Sequence, residues 1–486
     1  MMRYDAKNTG AQVASRGACS GSVCSACLAV LALFGSAAAE DWPTYMHDNR
    51  RSGVSAQTLP LEDLEQAWVY YSPSPPQMAW DGGHPWDSYA GNMQVPMRDF
   101  DTAFFVSAVG DLVYFGSSVT DSVHCLDART GKEEWFFHTD GPVRYPPSFD
   151  DGRLYFTSDD GYAYCINAAD GAFVWKYSPS HDDRLIGNNG SLIPMWPIRT
   201  GAAVMDGKAY FAASLAPWEE SYLCAVDAST GSATGPGLYV TSGGSTPMSA
   251  ILVSSTKIYL AQGRRYPSVY HRSSGAFCRN VGSRSGDGGC YVLLTSDTGY
   301  AYAHGLDHGT GYRANEYADH IATYPNGKRM IVSGQTAYVI TEQLSVDVSK
   351  NDRRIVNARL SAFDRGSGGT VWSVACDSPC YSLILAGDVL FAGGTNKVTA
   401  HEISSGEELW SRAVHGRARG LAAANGKLFV STDTGNIHMF GNIYLPGDLN
   451  HDGLFNLLDL AVFADDYLKC TDPANKQGQC ENLRDN

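Results

Sequence analysis

Near the C-terminus, Asp448, Asn450, Asp452, Leu454, Asn456 and Asp459 fall at positions 1, 3, 5, 7, 9 and 12 of a twelve-residue loop, with Gly453 at position 6. Calcium takes six to eight hard oxygens at about 2.3–2.6 Å, so a chain that binds it must turn sharply to aim several oxygens at one point. Asp448, Asn450, Asp452 and Asp459 supply side-chain oxygens, Leu454 offers its backbone carbonyl, and Asn456 acts directly or through water. The spacing predicts a calcium site. Beyond it, Leu460, Phe463, Ala464, Tyr467 and Leu468 recur at helical spacing and predict an exit helix with one apolar face.

A second set of charged residues is spread along the chain. Arg98, Arg144, Arg199, Arg329 and Arg419 each stand near the start of an expected innermost strand. If those strands leave one channel mouth together, the guanidinium groups approach one another there, and their repulsion is relieved by an anionic ligand or by carboxylates. Local pairing of each arginine with a carboxylate is the alternative. Trp80, His84 and Trp86 come from a long loop, 72–99, dense in proline and glycine, and are placed at the same mouth. An anionic small molecule or glycan, a carboxylated sugar or a quinone for example, fits its charge. Residues with acid–base chemistry, Asp81, Asp87, His181, Asp182, Asp183, Asp307 and His308, form no diagnostic motif, and G-x-S-x-G, H-E-x-x-H and the phosphate-loop pattern are absent. In a turn-rich chain they read as turn formers. Binding therefore stands ahead of catalysis.

The elements that position these residues are repeats. Leu112–Trp135, LVYFGSSVTDSVHCLDARTGKEEW, recurs as Arg153–Trp175, RLYFTSDDGYAYCINAADGAFVW. Each copy is an apolar β run, a polar turn, a second β run, a turn ending in glycine, and a tryptophan. Hairpins of this kind are expected near Leu112–Leu126, Arg153–Ile166, Lys208–Val226, Lys257–His271, Tyr291–His304, Thr336–Phe363, Val389–His401 and Lys427–Phe440. Seven turn glycines follow them, Gly131, Gly171, Gly231, Gly275, Gly311, Gly368 and Gly406, leaving one outer strand too few, whereas Leu64–Tyr71 is an outer strand without a hairpin. An N-terminal strand that completes the last blade resolves the mismatch and removes an exposed edge. The predicted fold is all-β, an eight-bladed β-propeller of about 42 residues per blade, closed by its N-terminal strand and followed by a small calcium loop-helix module. Trp135, Trp175, Trp372 and Trp410 are expected to pack one blade on the next.

The repeat with Tyr114-Phe115-Gly116-Ser117 and Leu126-Asp127-Ala128 through Gly131-Lys132 to Trp135 resembles that of the pyrroloquinoline-quinone (PQQ)-like propellers. The segment Asp41–Val54, DWPTYMHDNRRSGV, is similar to the opening segment of those proteins. The resemblance spans 41–441 and implies one of two activities. Quinoprotein alcohol dehydrogenases hold the quinone and calcium at the channel mouth; scaffolds of the BamB type, from outer-membrane assembly, are non-catalytic. The first group carries an adjacent-cysteine pair and in some members a CxxCH haem site, and this sequence has neither. The terminal loop, with Asp459 where an EF-hand carries glutamate, resembles one half of a type I dockerin. That resemblance implies a cohesin-like protein partner and an association with polysaccharide breakdown, although 469–486 holds no second loop.

Arg3, Lys7 and Arg16, the apolar run Cys27–Phe34 and Ala37-Ala38-Ala39 have the order of a secretory signal, so 1–39 is expected to be removed and the protein exported, to the periplasm or beyond the cell. No later run of 18 apolar residues follows, so no transmembrane segment is expected after it. The formal charge of −15 repels polyanions and argues against a nucleic-acid partner. Domains are expected at 40–441 (propeller) and 446–486 (calcium module). Nine cysteines then face an oxidising compartment, and the local pairs Cys278 with Cys290, Cys376 with Cys380, and Cys470 with Cys480 suggest themselves. Cys125 and Cys165 read as small buried strand residues. The resulting order of functions is a binding or assembly scaffold first, a PQQ-dependent alcohol or sugar dehydrogenase second, and a polysaccharide-degrading component third.

Overall fold

The computed structural model describes residues 40–79, 100–180, 182–216, 218–233, 238–241, 246–262, 265–281, 290–295, 300–304, 312–316, 319–324, 327–347, 352–442, 457–458 and 460–464. The expected signal 1–39, the calcium ligands Asp448 to Asp459, the mouth residues Trp80, His84, Trp86 and Arg98, and the Cys470–Cys480 pair lie outside the described residues.

The chain is all-β. Six four-stranded antiparallel sheets follow in order, beginning with strands Val106–Val109, Leu112–Ser117, Ser122–Asp127 and Glu133–His138. The first strands of the next five are Ser148–Asp150, Ala203–Met205, Leu252–Val253, Val292–Leu294 and Gly327–Ser333. An eight-stranded sheet ends the series. Its 17-residue strand Glu408–Ala424 pairs with Thr395–Glu402 through its first half and with Lys427–Thr432 through its second. The N-terminal strand Gln66–Tyr71 forms the edge of this sheet, antiparallel to Asn436–Phe440. The pairing expected for the N-terminal strand is thus present. A hairpin, Leu185–Asn188 with Ser191–Pro194, is inserted between the second and third sheets.

Burial follows the sequence pattern. Second strands such as Leu112–Ser117 are continuous apolar runs and are buried on both faces, because a neighbouring sheet covers each side. Fourth strands such as Glu133–His138 alternate and are half exposed. The cores lie between successive sheets: Tyr114 with Phe156, Tyr155 with Phe211, and Leu390 with Tyr338. Cys125 and Cys165 sit in these cores, and burial pushes their thiols up to about 12 and about 11.

The glycine turns set the distance between sheets. In the first, Asp127 Oδ1 accepts from the backbone N–H groups of Arg129 and Thr130 at 2.9 and 2.8 Å, and Gly131 follows with φ 68°. That left-handed turn leaves the glycine bare toward a tryptophan of the preceding sheet. A Cβ on Gly171 would lie 2.7 Å from Trp135, on Gly231 2.6 Å from Trp175, and on Gly406 2.6 Å from Trp372. The indole N–H groups of Trp175 and Trp372 donate across the same seam, to the Ala228 and Ile403 carbonyls at 2.9 and 2.8 Å. Trp410 meets Phe440, on the second half of the eight-stranded sheet, edge-on. The expected packing role of the four tryptophans holds.

One expectation is corrected in the fifth sheet. Tyr291–His304 supplies its first and second strands, Val292–Leu294 and Tyr300–His304, where a second and a third were expected. Two further strands, Tyr312–Glu316 and Asp319–Tyr324, complete the sheet. This stretch has no tryptophan to mark its outer strand, which removed the phase of the repeat.

Candidate functional site

All first strands run in one direction through the ring, and their two ends are treated differently. At their C-terminal ends the segment Glu40–Gln57 passes from sheet to sheet. Ala108 and Trp42 exchange backbone hydrogen bonds, and Phe149 donates to the Pro43 carbonyl. Asn49 Nδ2 donates to the Val204 carbonyl at 2.6 Å, and Val253 donates to the Asn49 carbonyl at 3.0 Å. Leu294 donates to Arg50, Leu385 to Gly53, and Asn425 to Glu40. Arg51 is buried among them, giving Nη1 to Thr44 Oγ1 at 2.8 Å and both Nε and Nη2 to the Ile251 carbonyl. Burial lowers its guanidinium to about 10.

The expected arginines stand at the other ends of the first strands, and the structure brings them together in two places. Arg144 and Arg199 share one carboxylate. Arg144 Nε and Nη2 donate to Asp159 Oδ2 at 2.9 and 2.6 Å, while Arg199 Nε donates to Oδ1 at 2.9 Å and Nη2 to Oδ2 at 2.7 Å. Arg144 Nη1 also donates to Asp101 Oδ2 at 2.5 Å and to the Gln77 carbonyl at 2.9 Å. Arg199 reaches Asn188 Oδ1 on the inserted hairpin. All four charged side chains are at most 4% exposed. Burial alone would raise the Asp159 carboxyl, but the two guanidinium groups outweigh it and hold the group at about 2. At Asp101 burial wins and the carboxyl is raised despite Arg144. The repulsion expected to invite an anion is relieved here from within, by Asp159 and Asp101. The carboxylate pairing given as the alternative is thus present at Arg144 and Arg199. The described ends of the long loop meet at the same cluster, where Ala79 N–H donates to Asp101 Oδ2 at 2.7 Å.

Arg329 and Arg419 behave differently. Together with Arg51, Tyr45, Phe105 and Tyr291 they line a cavity of about 50 Å³. Arg329 lies 3.7 Å over the Tyr291 ring and donates to its hydroxyl at 2.7 Å; Arg419 lies 4.5 Å over Tyr381. Such a volume admits a few water molecules. Beside the cavity, Tyr145 stacks on Phe100 and meets Tyr45 edge-on, and its hydroxyl donates to Ser249 at 3.0 Å. Ser249 donates in turn to the Cys290 carbonyl and holds a left-handed φ of 77°. A non-glycine residue in that conformation carries backbone strain that the packing must hold.

Sequence reasoning missed Asp101, Asp159, Arg51 and the tyrosines. Asp159 sits in a Ser-Asp-Asp-Gly turn and reads as a turn former; its arginines lie 15 and 40 residues away. Of the acid–base candidates, Asp182 is an exposed partner of Arg184, Asp183 is exposed, and Asp81, Asp87, His181, Asp307 and His308 lie outside the described residues. Of the expected pair Cys278 and Cys290, Cys278 packs against the cluster of Val269 and Cys290 lies in the cluster of Tyr145. Among the described residues no group of His, Cys, Asp and Glu could hold a metal. Residues 457–458 and 460–464 are helical, with Leu457, Leu460 and Phe463 exposed.

The family model described as outer membrane protein assembly factor BamB matches residues 77–235 and 356–441. No curated protein sequence matches the chain. Among solved structures, the chain is similar to the quinohemoprotein alcohol dehydrogenase from Comamonas testosteroni, with TM-score 0.58 and 13% identity over 84% of this chain and 82% of that one. It is also similar to quinohemoprotein alcohol dehydrogenase ADHIIG from Pseudomonas putida HK5 (0.58, 11%, 83% and 80%) and to a europium-containing methanol dehydrogenase (0.57, 12%, 83% and 98%). Identities this low speak to fold alone, and the fold is that of a PQQ-like β-propeller.

Proposed function

The chain belongs to the outer membrane protein assembly factor BamB family, and on that premise we propose that it is an exported, non-catalytic propeller that acts as a binding or assembly scaffold. In this reading 1–39 is a signal removed on export to the periplasm or beyond, and 40–441 forms eight blades closed by Gln66–Tyr71. Residues 446–486 are a calcium module that attaches the propeller to a protein partner of the cohesin kind. Its donor set, Asp448, Asn450, Asp452, the Leu454 carbonyl, Asn456 and Asp459, is all hard oxygen and suits calcium. The mouth beside Arg329 and Arg419 takes an anionic small molecule or the edge of a glycan, in company with Trp80, His84, Trp86 and Arg98 from the long loop.

One observation carries the choice of scaffold over dehydrogenase: Asp159 and Asp101 neutralise Arg144 and Arg199. Pyrroloquinoline quinone bears three carboxylates. Two buried aspartates already occupy the guanidinium groups that would receive them, and desolvating more negative charge beside those aspartates is costly. Among the described residues, the cavity of about 50 Å³ beside Arg329 and Arg419 has room for a few water molecules. These features of the described residues favour the scaffold reading. The dehydrogenase reading keeps its place as the alternative because the similar solved structures are named as dehydrogenases.

Calorimetric titration of the mature chain with pyrroloquinoline quinone, with calcium present, separates the two. The expected result is no saturable heat and no dye-linked oxidation of alcohols. Saturable quinone binding, lost in Arg329→Ala, would sink the scaffold reading. Acidic polysaccharides enter the same assay; their cleavage would select the glycan-degrading reading instead.

A further inference from the structure

The connection from the sixth sheet to the eight-stranded sheet that follows it, Cys376-Asp377-Ser378-Pro379-Cys380, is held on several sides. Cys376 N–H donates to the Ala358 carbonyl at 2.9 Å, and Tyr381 N–H donates to Gly393 at 2.7 Å. Asp377 Oδ2 takes Lys397 Nζ at 2.9 Å, and Ser378 Oγ accepts from Thr395 N–H at 3.3 Å. Within this frame the Cys380 thiol donates to the Ser378 carbonyl at 3.7 Å, and Cys376, four residues earlier, packs against the same apolar cluster as Cys380, that of Ile340, Leu360 and Leu390. Cys380 is buried and Cys376 partly exposed, so only one of the two can be approached from solvent.

We propose that Cys376 and Cys380 are a thiol–disulfide pair, which an external disulfide oxidises to an intrachain bond across this connection. Cys376 Sγ, as the thiolate, attacks one sulfur of a small-molecule or protein disulfide; that S–S bond breaks and the second donor sulfur leaves as a thiolate. Cys380 then loses its proton and attacks Cys376 Sγ, the mixed disulfide breaks, and the first donor sulfur leaves. Two protein thiols are oxidised, one donor disulfide is reduced to two thiols, and the two protons pass to those thiols or to water. The order of attack follows from access and from acidity. The neighbouring Cys380 and Lys397 lower the Cys376 thiol despite its burial, whereas Cys380 is raised.

The bond acts on the neighbouring residue. Tyr381 is the next in sequence after Cys380, and its ring is the platform under Arg419, with Arg417 5.8 Å from the same ring. Closing the disulfide stiffens the connection that carries Tyr381 and so fixes Arg419 at the cavity. That consequence rests on the mouth reading above; the bond itself does not.

The test uses the full mature chain equilibrated with oxidised glutathione, acid-quenched, alkylated in denaturant and digested with trypsin. Peptide 366–397, between Arg365 and Lys397, contains these two cysteines and no other. It is expected unalkylated and lighter by two hydrogens, its halves still joined after cleavage before Asp377, and doubly alkylated once reduced. Full alkylation without reductant, or a bond from either residue to a third cysteine, overturns the proposal. In Cys380→Ser the expected product is a glutathione adduct on Cys376, and in Cys376→Ser none on Cys380; equal adducts overturn the assigned order. Circular dichroism of each variant establishes that it is folded. A chain that closes this bond yet binds no anion loses the mouth reading and keeps the disulfide.

Discussion

The indole of Trp68, on the N-terminal strand, lies flat against Gly131 in the turn of the first sheet, so close that a Cβ there would sit 2.6 Å from the ring. Its Nε1–H donates to the Ala128 carbonyl at 3.0 Å. Every other such pair joins consecutive sheets; this one joins the last to the first.

Substituting Gly131 therefore tests ring closure. Gly131→Ala combines a φ of 68° with the clash against Trp68, and about 2 kcal/mol or more of destabilisation is expected. Gly152→Ala is the control, because its φ is 75° but nothing lies within 4 Å of its Cβ. About 1 kcal/mol is expected there. Equal losses in urea denaturation would show that the Trp68 contact contributes nothing.

Asp159 makes acid sensitivity specific. Its folded value of about 2 lies below the ordinary 3.8, so its contribution is fully present above pH 3.8 and is lost as pH falls through about 2. The loss is on the order of 2 kcal/mol. Asp101 is raised, so its contribution runs the other way and declines as pH climbs past 3.8. Asp159→Asn leaves two buried guanidinium groups short of charge and should cost about 3–5 kcal/mol at pH 7. Asp101→Asn should cost much less. Equal costs in chemical denaturation would contradict the shared-carboxylate arrangement.

His438 sets a second, milder window. Burial, helped by His415, lowers it to about 4; its Nδ1 meets Gln66 Oε1 at 3.0 Å, and its Nε2 accepts from the His415 N–H at 3.2 Å. The folded form resists the proton that the unfolded chain takes up near 6.5, so stability is full above 6.5 and declines as pH falls to about 4. A decline of roughly 2–3 kcal/mol is expected. In His438→Gln the thermal midpoint should stay nearly flat between those pH values; an unchanged slope would assign the sensitivity elsewhere.

Two adjacent arginines offer a matched comparison. Arg51 is buried and donates to Thr44, Tyr45 and Ile251, whereas Arg50 is exposed and paired with Asp48. Arg51→Gln should cost about 2–4 kcal/mol and Arg50→Gln within about 0.5 kcal/mol of nothing. Similar melting curves for both would contradict the role given to the segment 40–57.

What could be read from sequence was local. The turn glycines, the outer tryptophans and the buried Cys125 and Cys165 announce themselves because each is fixed by neighbours within one repeat. The Asp159 cluster was not legible, since its partners come from separate sheets and the long loop, and Asp in a turn looks the same whether or not arginines meet it. The fifth sheet lost its phase where no tryptophan marks the outer strand. Arg144 and Arg199 were found by their place at strand starts, but their charge balance depends on contacts no spacing encodes.

The path of the segment 40–57 and of Gln66–Tyr71 also dictates an order of assembly. Glu40 awaits Asn425, and Gln66 awaits Phe440, so the earliest residues of the ring have partners among its last. At ordinary synthesis rates the growing chain is an open arc for roughly 20–70 s, with both raw edges available to other chains. Closure is a long-range event and correspondingly slow. A nascent or translocating chain of this kind is most exposed to aggregation just before its final strand arrives, and a truncation a few residues short of Phe440 harms it more than the loss of one strand's worth of contacts would suggest.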